Sequence, residues 1–346
     1  MKKSKIQNSK SKTYLGVDGG QSHTEAIIAD ESGRVLGRGT GGASNHAEIP
    51  GGRSRLENAI KDSVGKAIRE MATRRRGDTE IFEDLNDFVE NISAVNFASA
   101  HCGMTGGAIY KEEIIARIIK AKKLTIGHDA PTALFGATAG KPGIVVIAGT
   151  GSVVFGVNEK GETARAGGLG YLFADEGGGF WLAAQMIRLA IKEQDGLIEK
   201  SGILKIVLDF FGRGEIREVT DDFYNGKISR DEIAKLAKRA SEAADGANEI
   251  IREQINFGAE VLAASVESVA RKLNFRSNFP VAGVGGMFRA RLMRECFKSI
   301  LAEKVPAADF IKPRFGPAEG ALLLAYRQAE IEITADLLKN LEKVSN

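Results

Sequence analysis

Apolar positions along this chain fall into short continuous runs ended by glycine and longer runs at helical spacing, and the two kinds alternate. Tyr14-Leu-Gly-Val-Asp-Gly-Gly20 runs into a polar loop. A second run, Glu25-Ala-Ile-Ile-Ala29, follows, and a polar turn closes at Gly33. The same design recurs at Gly143-Ile-Val-Val-Ile-Ala-Gly-Thr-Gly-Ser152, Val153-Val-Phe-Gly-Val157 and a turn at Gly161. Each copy predicts a strand, a Gly/Ser/Thr loop and a second strand. The first belongs to a meander from Thr13 to about Gly39. Helical spacing predicts helices over Leu56–Met71, Glu112–Lys123, Phe180–Ile191 and Pro317–Tyr326, with a last helix to the C-terminus. Residues 196–245 read as mostly helical. A long helix from Asn248 to Leu273 puts Ile251, Ile255, Leu262, Val266, Val269 and Leu273 on one face. Further strands are expected from Ile92 to Ser99, leading to Gly103-Met-Thr-Gly-Gly107, over Leu124–Gly127, and from Phe279 to Gly286, with a helix from Met287. Arg74–Asn91 is charged and fits no one class. Strands alternating with helices give an α/β fold class.

Composition narrows this picture without redirecting it. A length of 346 residues suggests two domains. Hydrophobic residues at 43% and charged residues at 27% suit a globular chain. The 41 glycines are more than usual and are assigned to the loops. The net charge is +3, and much of the basic excess sits in the tail, residues 1–12, expected to be disordered, and in Arg74-Arg-Arg76. Both read as solvated. The aromatic or Arg-rich patterning of a nucleic-acid face is missing. Two distant cysteines, Cys102 and Cys296, argue against a disulfide scaffold or zinc site and fit a reducing, cytoplasmic setting. No apolar run reaches membrane-spanning length, and the basic start lacks the apolar core of a secretory signal.

The chemistry suggested by the duplicated loops is phosphate binding. A strand entering a glycine loop brings backbone N–H groups close to an anion, and neighbouring hydroxyls add donors. Gly-Lys pairs at 65–66, 140–141 and 226–227 never continue with Ser or Thr, so no P-loop is present, and no dinucleotide-binding glycine unit occurs. Asp18, at the tip of the first loop, would repel a phosphate unless a cation lay between them, which favours Mg2+. Asp129, just before a helix starting near Ala130, suits an N-cap or a general base. Asp175 and Glu176 precede a helix, where capping and ligand binding are equally open. The histidines at 23, 46, 101 and 128 show no metal-ligand spacing.

Asp18-Gly-Gly, Gly149-Thr-Gly-Ser152 and Gly283-Val-Gly-Gly-Met-Phe288, in this order and spacing, resemble the three nucleotide motifs of the actin/hexokinase/Hsp70 superfamily. Within it the chain resembles the BadF/BadG/BcrA/BcrD ATPase family, in its N-acetylglucosamine kinase and archaeal hexokinase-like branch. Ser44-Asn45-His46, His128-Asp129-Ala130 and Gly167-Gly-Leu-Gly170 with Ala174-Asp-Glu-Gly177 support it, over about residues 13–327.

The resemblance implies two actin-like (ribonuclease H-like) domains with a cleft between them. These would be 13–135, with the helical segment 317–346 as a candidate completion, and 136–316. It implies an ATP-dependent sugar kinase acting on a hexose or amino sugar hydroxyl. Asp18 would organise Mg2+. Gly19, Gly20, Gln21, Ser22, Thr24, Gly149, Thr150, Gly151 and Ser152 would hold the phosphates of ATP. Gly285, Gly286 and Met287 would take adenosine, and Asn45, His46, Gly106, Gly168, Leu169 and Asp175 the sugar. Asp129 would be the base. The implied partners are ATP and a small-molecule sugar, with no nucleic acid or membrane; a homodimer is one option. Gln21-Ser22-His23 replaces the family's usual Gly-Thr-Lys, and Ala108 stands where relatives often carry Asp. Leu169 replaces a Trp of the N-acetylglucosamine kinases, which implies a broader sugar preference. Two alternatives stay open: an ATPase activator of a partner enzyme, and a sugar or nucleotide sensor with a degenerate site.

Overall fold

The structure is a computed structural model and describes residues 12–20, 23–45, 51–76, 92, 95–106, 109–246 and 248–343. The chain divides into two compact units, one of residues 1–141 and 314–346, the other of 142–313. Of the tail expected to be disordered, residues 1–12, all but Lys12 lies outside the described residues; of the undecided segment Arg74–Asn91, residues 77–91 do so, while Arg74 to Arg76 end a helix.

The first unit opens with β1 (Thr13–Gly19), β2 (Thr24–Asp30), β3 (Val35–Gly41) and α1 (Gly52–Arg76). β4 (Asn96–Phe97), β5 (Ser99–Met104), α2 (Ile109–Ile118), β6 (Lys120–Ala121), β7 (Leu124–His128) and α3 (Asp129–Ala137) follow. Its five-stranded sheet has the order β3-β2-β1-β5-β7, antiparallel through β1 and parallel beyond. Leu15 and Val17 enter one core with α1 residues Leu56, Ile60 and Val64, while Tyr14 faces the other way. A strand buried on both faces needs a nearly continuous apolar run, and that is what β1 shows.

Glycine also builds this unit outside its loops. Gly37, Gly39 and Gly41 alternate along β3, and a Cβ on them would stand 2.0 Å, 2.0 Å and 2.2 Å from the carbonyl oxygens of Ala67, Ser63 and Ala59. The helix backbone of α1 therefore lies directly on the strand, and part of the glycine excess serves packing. α2 ends at Ile118, short of the expected Lys123. Lys120 and Ala121 are drawn into parallel pairing with Asn96 and Phe97.

The second unit holds β8 (Gly143–Ala148), β9 (Ser152–Val157), β10 (Thr163–Gly167), α4 (Gly179–Gln194), α5 (Ile203–Phe211), α6 (Ile216–Tyr224), α7 (Arg230–Ala234), α8 (Leu236–Asp245) and α9 (Glu249–Lys272). β11 (Phe279–Val284), α10 (Arg291–Lys304) and β12 (Ala308–Ile311) complete it. Its sheet has the order β10-β9-β8-β11-β12, again antiparallel through β8 and parallel beyond. The duplication seen in the two hairpins thus extends to whole sheets. All six stripe residues expected on α9 are buried, and the Asn248 side chain caps the helix by accepting from the N–H of Ile251.

The chain then returns to the first unit with α11 (Pro317–Gln328) and α12 (Ala335–Glu342). The Tyr326 hydroxyl donates to the carbonyl of Asp30 at 2.5 Å, and its ring lies against Tyr14. Among the described residues no helix is long and apolar enough to cross a membrane.

Candidate active site

In the first unit, β1 carries Asp18 and β7 leads straight into Asp129. The strand register puts Asp18 beside Gly103 of β5 and Glu25 of β2. A Cβ on Gly103 would stand 2.6 Å from Thr132 Oγ1, so glycine there lets α3 close on the strand ends. Thr132 Oγ1 lies 3.3 Å from Asp18 Oδ1 and 2.6 Å from the carbonyl oxygen of Asp129, so its one proton is shared between these two acceptors. Burial and the neighbouring Asp129 carboxylate push Asp18 up to about 7 against the opposing Thr132 contact, and Glu25 and Glu319 add to the rise. Arg38 ties the two outer acids, donating to Glu25 at 3.0 Å and Glu319 at 2.6 Å. Asp18 and Asp129 are left as the carboxylates that push on each other.

Asp129 does not cap its helix. The N-cap is His128, Asp129 is the first helical residue, and its Oδ2 accepts from the Thr105 hydroxyl at 2.7 Å. The capping reading of this side chain is corrected accordingly. Thr105, Thr132, Lys111 and Glu319 escaped the sequence reading. Thr132 alone left a signal there, three residues beyond Asp129 and therefore on the same helix face.

The first loop is more structural than expected. Gly20 N–H donates to the carbonyl of His23 at 3.0 Å, which closes the turn and directs that donor inward. A Cβ on Gly19 would collide with Met104 and with Ser44 Oγ, 2.6 Å away. Thr24 is fully buried and donates its hydroxyl to Gly42 O at 2.9 Å, so it is a strand residue and has no proton for a phosphate. Ser44 N–H donates to Gly20 O at 3.2 Å, which sets the buried Asn45 next to this turn. Gly106 follows Thr105 with φ +83°. Gln21, Ser22 and His46 lie outside the described residues, as do Gly107 and Ala108.

In the second unit the loop from Gly149 to Ser152 lies across the start of α4. Gly179 N–H donates to Gly149 O at 2.7 Å and Phe180 N–H to Thr150 O at 2.9 Å. The N-cap of α4 is Gly178, so neither Asp175 nor Glu176 is its cap. Asp175 is buried at φ +71°, a conformation that costs a non-glycine residue energy. A Cβ on Gly151 would stand 2.4 Å from its Oδ2. Burial raises the Asp175 carboxyl, while hydrogen bonds from the Ser152 and Gly170 N–H groups and the Arg230 charge pull it back. Asp175 therefore underpins the loop. Ser152 is also structural, its hydroxyl donating to Glu176 O at 2.7 Å, so it too is withdrawn as a phosphate ligand. Gly149 N–H turns back to Gly151 O. Thr150 and Gly151 are the loop's candidates for an anion.

Gly285 sits at φ +99°, where a Cβ would stand 2.4 Å from Ala148 O, whereas nothing lies within 4 Å of a Cβ on Gly286. Met287 is buried in the core, so it is no adenosine contact through its side chain; the helix expected from it is a 3-10 turn, Met287–Arg289, before α10. Gly168, at φ +68°, packs beside Val153 and accepts from Arg165 at 2.7 Å. The next side chain, Leu169, is 78% exposed. Among the described residues no three His, Cys, Asp or Glu side chains group as a metal cage.

The BadF/BadG/BcrA/BcrD ATPase family model matches residues 15–325. The chain is 26% identical over 321 residues to the N-acetylmuramic acid/N-acetylglucosamine kinase of Clostridium acetobutylicum, covering 92% of this chain and 100% of that one. It is 27% identical over 323 residues to the N-acetyl-D-glucosamine kinase of Dictyostelium discoideum, covering 90% and 97%. A solved protein of Chromobacterium violaceum, proposed to be an N-acetylglucosamine kinase, superposes with a TM-score of 0.69 at 25% identity, over 91% of this chain and 99% of that one.

Proposed function

The chain belongs to the BadF/BadG/BcrA/BcrD ATPase family, and from that premise we propose that it is an ATP-dependent kinase phosphorylating a hydroxyl of an amino sugar or related hexose. The observation that carries this reading is the pair Asp18 and Asp129, two mutually repelling carboxylates, each within reach of a threonine hydroxyl. Two such groups with separate surroundings suit separate tasks. Asp129 takes the proton of the attacking hydroxyl, a role worth about 10²–10⁴-fold in rate. Asp18 is the residue that would hold Mg2+. The donor set fits: one carboxylate, with no cage of three acidic, His or Cys side chains among the described residues, suits an ion that keeps waters and shares phosphate oxygens. The ion would supply charge neutralisation on the phosphates. Thr150 and Gly151 donate to phosphate oxygens, and the open face at Gly286 receives adenosine. Little covalent work is asked of the protein, since phosphoryl transfer is governed by positioning and charge.

The relatives' substrates make N-acetylated amino sugars the first acceptors to try. Leu169 offers neither ring plane nor N–H donor, so glucose, glucosamine and mannose should also be accepted. The deciding experiment measures ADP release with Mg·ATP and each of N-acetylglucosamine, N-acetylmuramic acid, glucosamine, glucose and mannose. Sugar-stimulated release is expected. Equal release with and without every one of them would sink the kinase reading. The activator alternative is not favoured. The curated relatives that the chain matches over nine-tenths of its length are amino sugar kinases, which supports the kinase reading over it.

A further inference from the structure

Thr105 uses all three of its polar groups on three different elements. Its N–H donates to Gly19 O at 2.9 Å, at the end of β1. Its hydroxyl donates to Asp129 Oδ2 at 2.7 Å, at the start of α3. Its carbonyl accepts from Nζ of Lys111, a lysine of α2 that is only 1% exposed. The residue is thus fixed from both sides, and Gly106 beyond it turns the chain with φ +83°.

A carboxylate on the first helical residue has an open side chain that can rotate. A base must present one oxygen to the acceptor hydroxyl along a defined direction, and small misplacements cost large factors in rate. A hydrogen bond to Oδ2 alone sets the carboxylate plane and leaves Oδ1 for the substrate. We propose that Thr105 is a positioning residue, holding Asp129 in its working orientation and at a fixed distance from the Gly19-Gly20 turn. Thr105 touches no reacting atom. The inference rests on the proposed role of Asp129 as base.

The test is a double-mutant cycle read by ADP release with N-acetylglucosamine and Mg·ATP. Thr105→Val keeps the branched shape and removes the hydroxyl; Thr105→Ser keeps the hydroxyl. Thr105→Val should lower kcat about tenfold or more, with KM for ATP and sugar within about twofold, in line with a hydrogen bond to a charged group. Thr105→Ser should recover most of that loss. In the Asp129→Asn background Thr105→Val should change kcat little, because the group it orients is no longer a base. Wild-type turnover in Thr105→Val would overturn the inference. So would an equal fractional loss on both backgrounds, or failure of Thr105→Ser to recover activity; each would mean that the residue only packs. Normal turnover in Asp129→Asn is a different failure, since it removes the base itself and this inference with it.

Discussion

At Asp129 the structure separates two roles that the sequence leaves merged. Its side chain makes no capping bond, so replacing it should not cost the helix its start. An asparagine can still accept the Thr105 hydroxyl through Oδ1 but cannot take a proton. Asp129→Asn should therefore lower kcat by about 10²-fold or more, roughly 2.7 kcal/mol of barrier. ATP and sugar affinities by calorimetry should stay near normal. Near-normal turnover would end the assignment. Asp18 stands out in the chain as an acid at the tip of a glycine loop, whereas Asp129, at the junction of a strand and a helix, is singled out only through the family resemblance. Thr24 and Ser152 were misread for a physical reason. A hydroxyl in such a run looks the same whether it meets a ligand or a carbonyl, and the carbonyls it meets here, Gly42 O and Glu176 O, are 18 and 24 residues away.

Among the elements, the β11 turn shows why two adjacent glycines cannot be treated alike. Gly285 is required by the fold, through a positive φ and the approach of Ala148 O. Gly286 has φ −61° and open space, so the fold does not demand glycine there. Gly286→Leu should weaken ATP binding at least about tenfold while sugar binding and the unfolding midpoint stay near wild type. Unchanged nucleotide affinity would remove adenosine from this face. The stripe of glycines on β3 is the counterpart in packing. Alternation in the chain predicts a strand, but only the helix laid against it shows why those positions lack side chains. α9 was legible almost to the residue because its apolar stripe and Asn cap are local signals. The end of α2 was not, because a distant pairing between β4 and β6 decides it.

Over the whole molecule, two buried groups of the first unit set opposite pH slopes. Asp18, at about 7 in the fold against 3.8 unfolded, holds its proton more tightly when folded. Its contribution to stability therefore falls as pH rises from about 4 to 7. His101, lowered by burial to about 4 from 6.5, binds its proton more weakly when folded, so its contribution rises with pH from about 4 to 6.5. Each slope approaches about 1.4 kcal/mol per pH unit, and over the shared window they oppose. Denaturant unfolding without nucleotide or metal should show stability growing with pH in Asp18→Asn, relative to wild type, and falling with pH in His101→Gln. Asp18→Asn should also be the more stable protein at pH 7, although inactive. Two variants whose profiles run parallel to wild type would refute this account.

The sequence by itself determined the α/β class, the two hairpin copies, the long helix with its apolar stripe and the acid at the tip of the first glycine loop. All of these are written in local periodicity or in residue types next to one another. Only the tertiary structure decided that the duplication covers two sheets of the same strand order. It also decided that Thr105 and Thr132 reach the acids, that Asp175 and Ser152 support a loop, and that Met287 belongs to the core. Those facts depend on strand register and on helices meeting backbone across the chain. A hydrogen bond or a close contact is fixed by where its partner arrives, and no local pattern specifies that arrival.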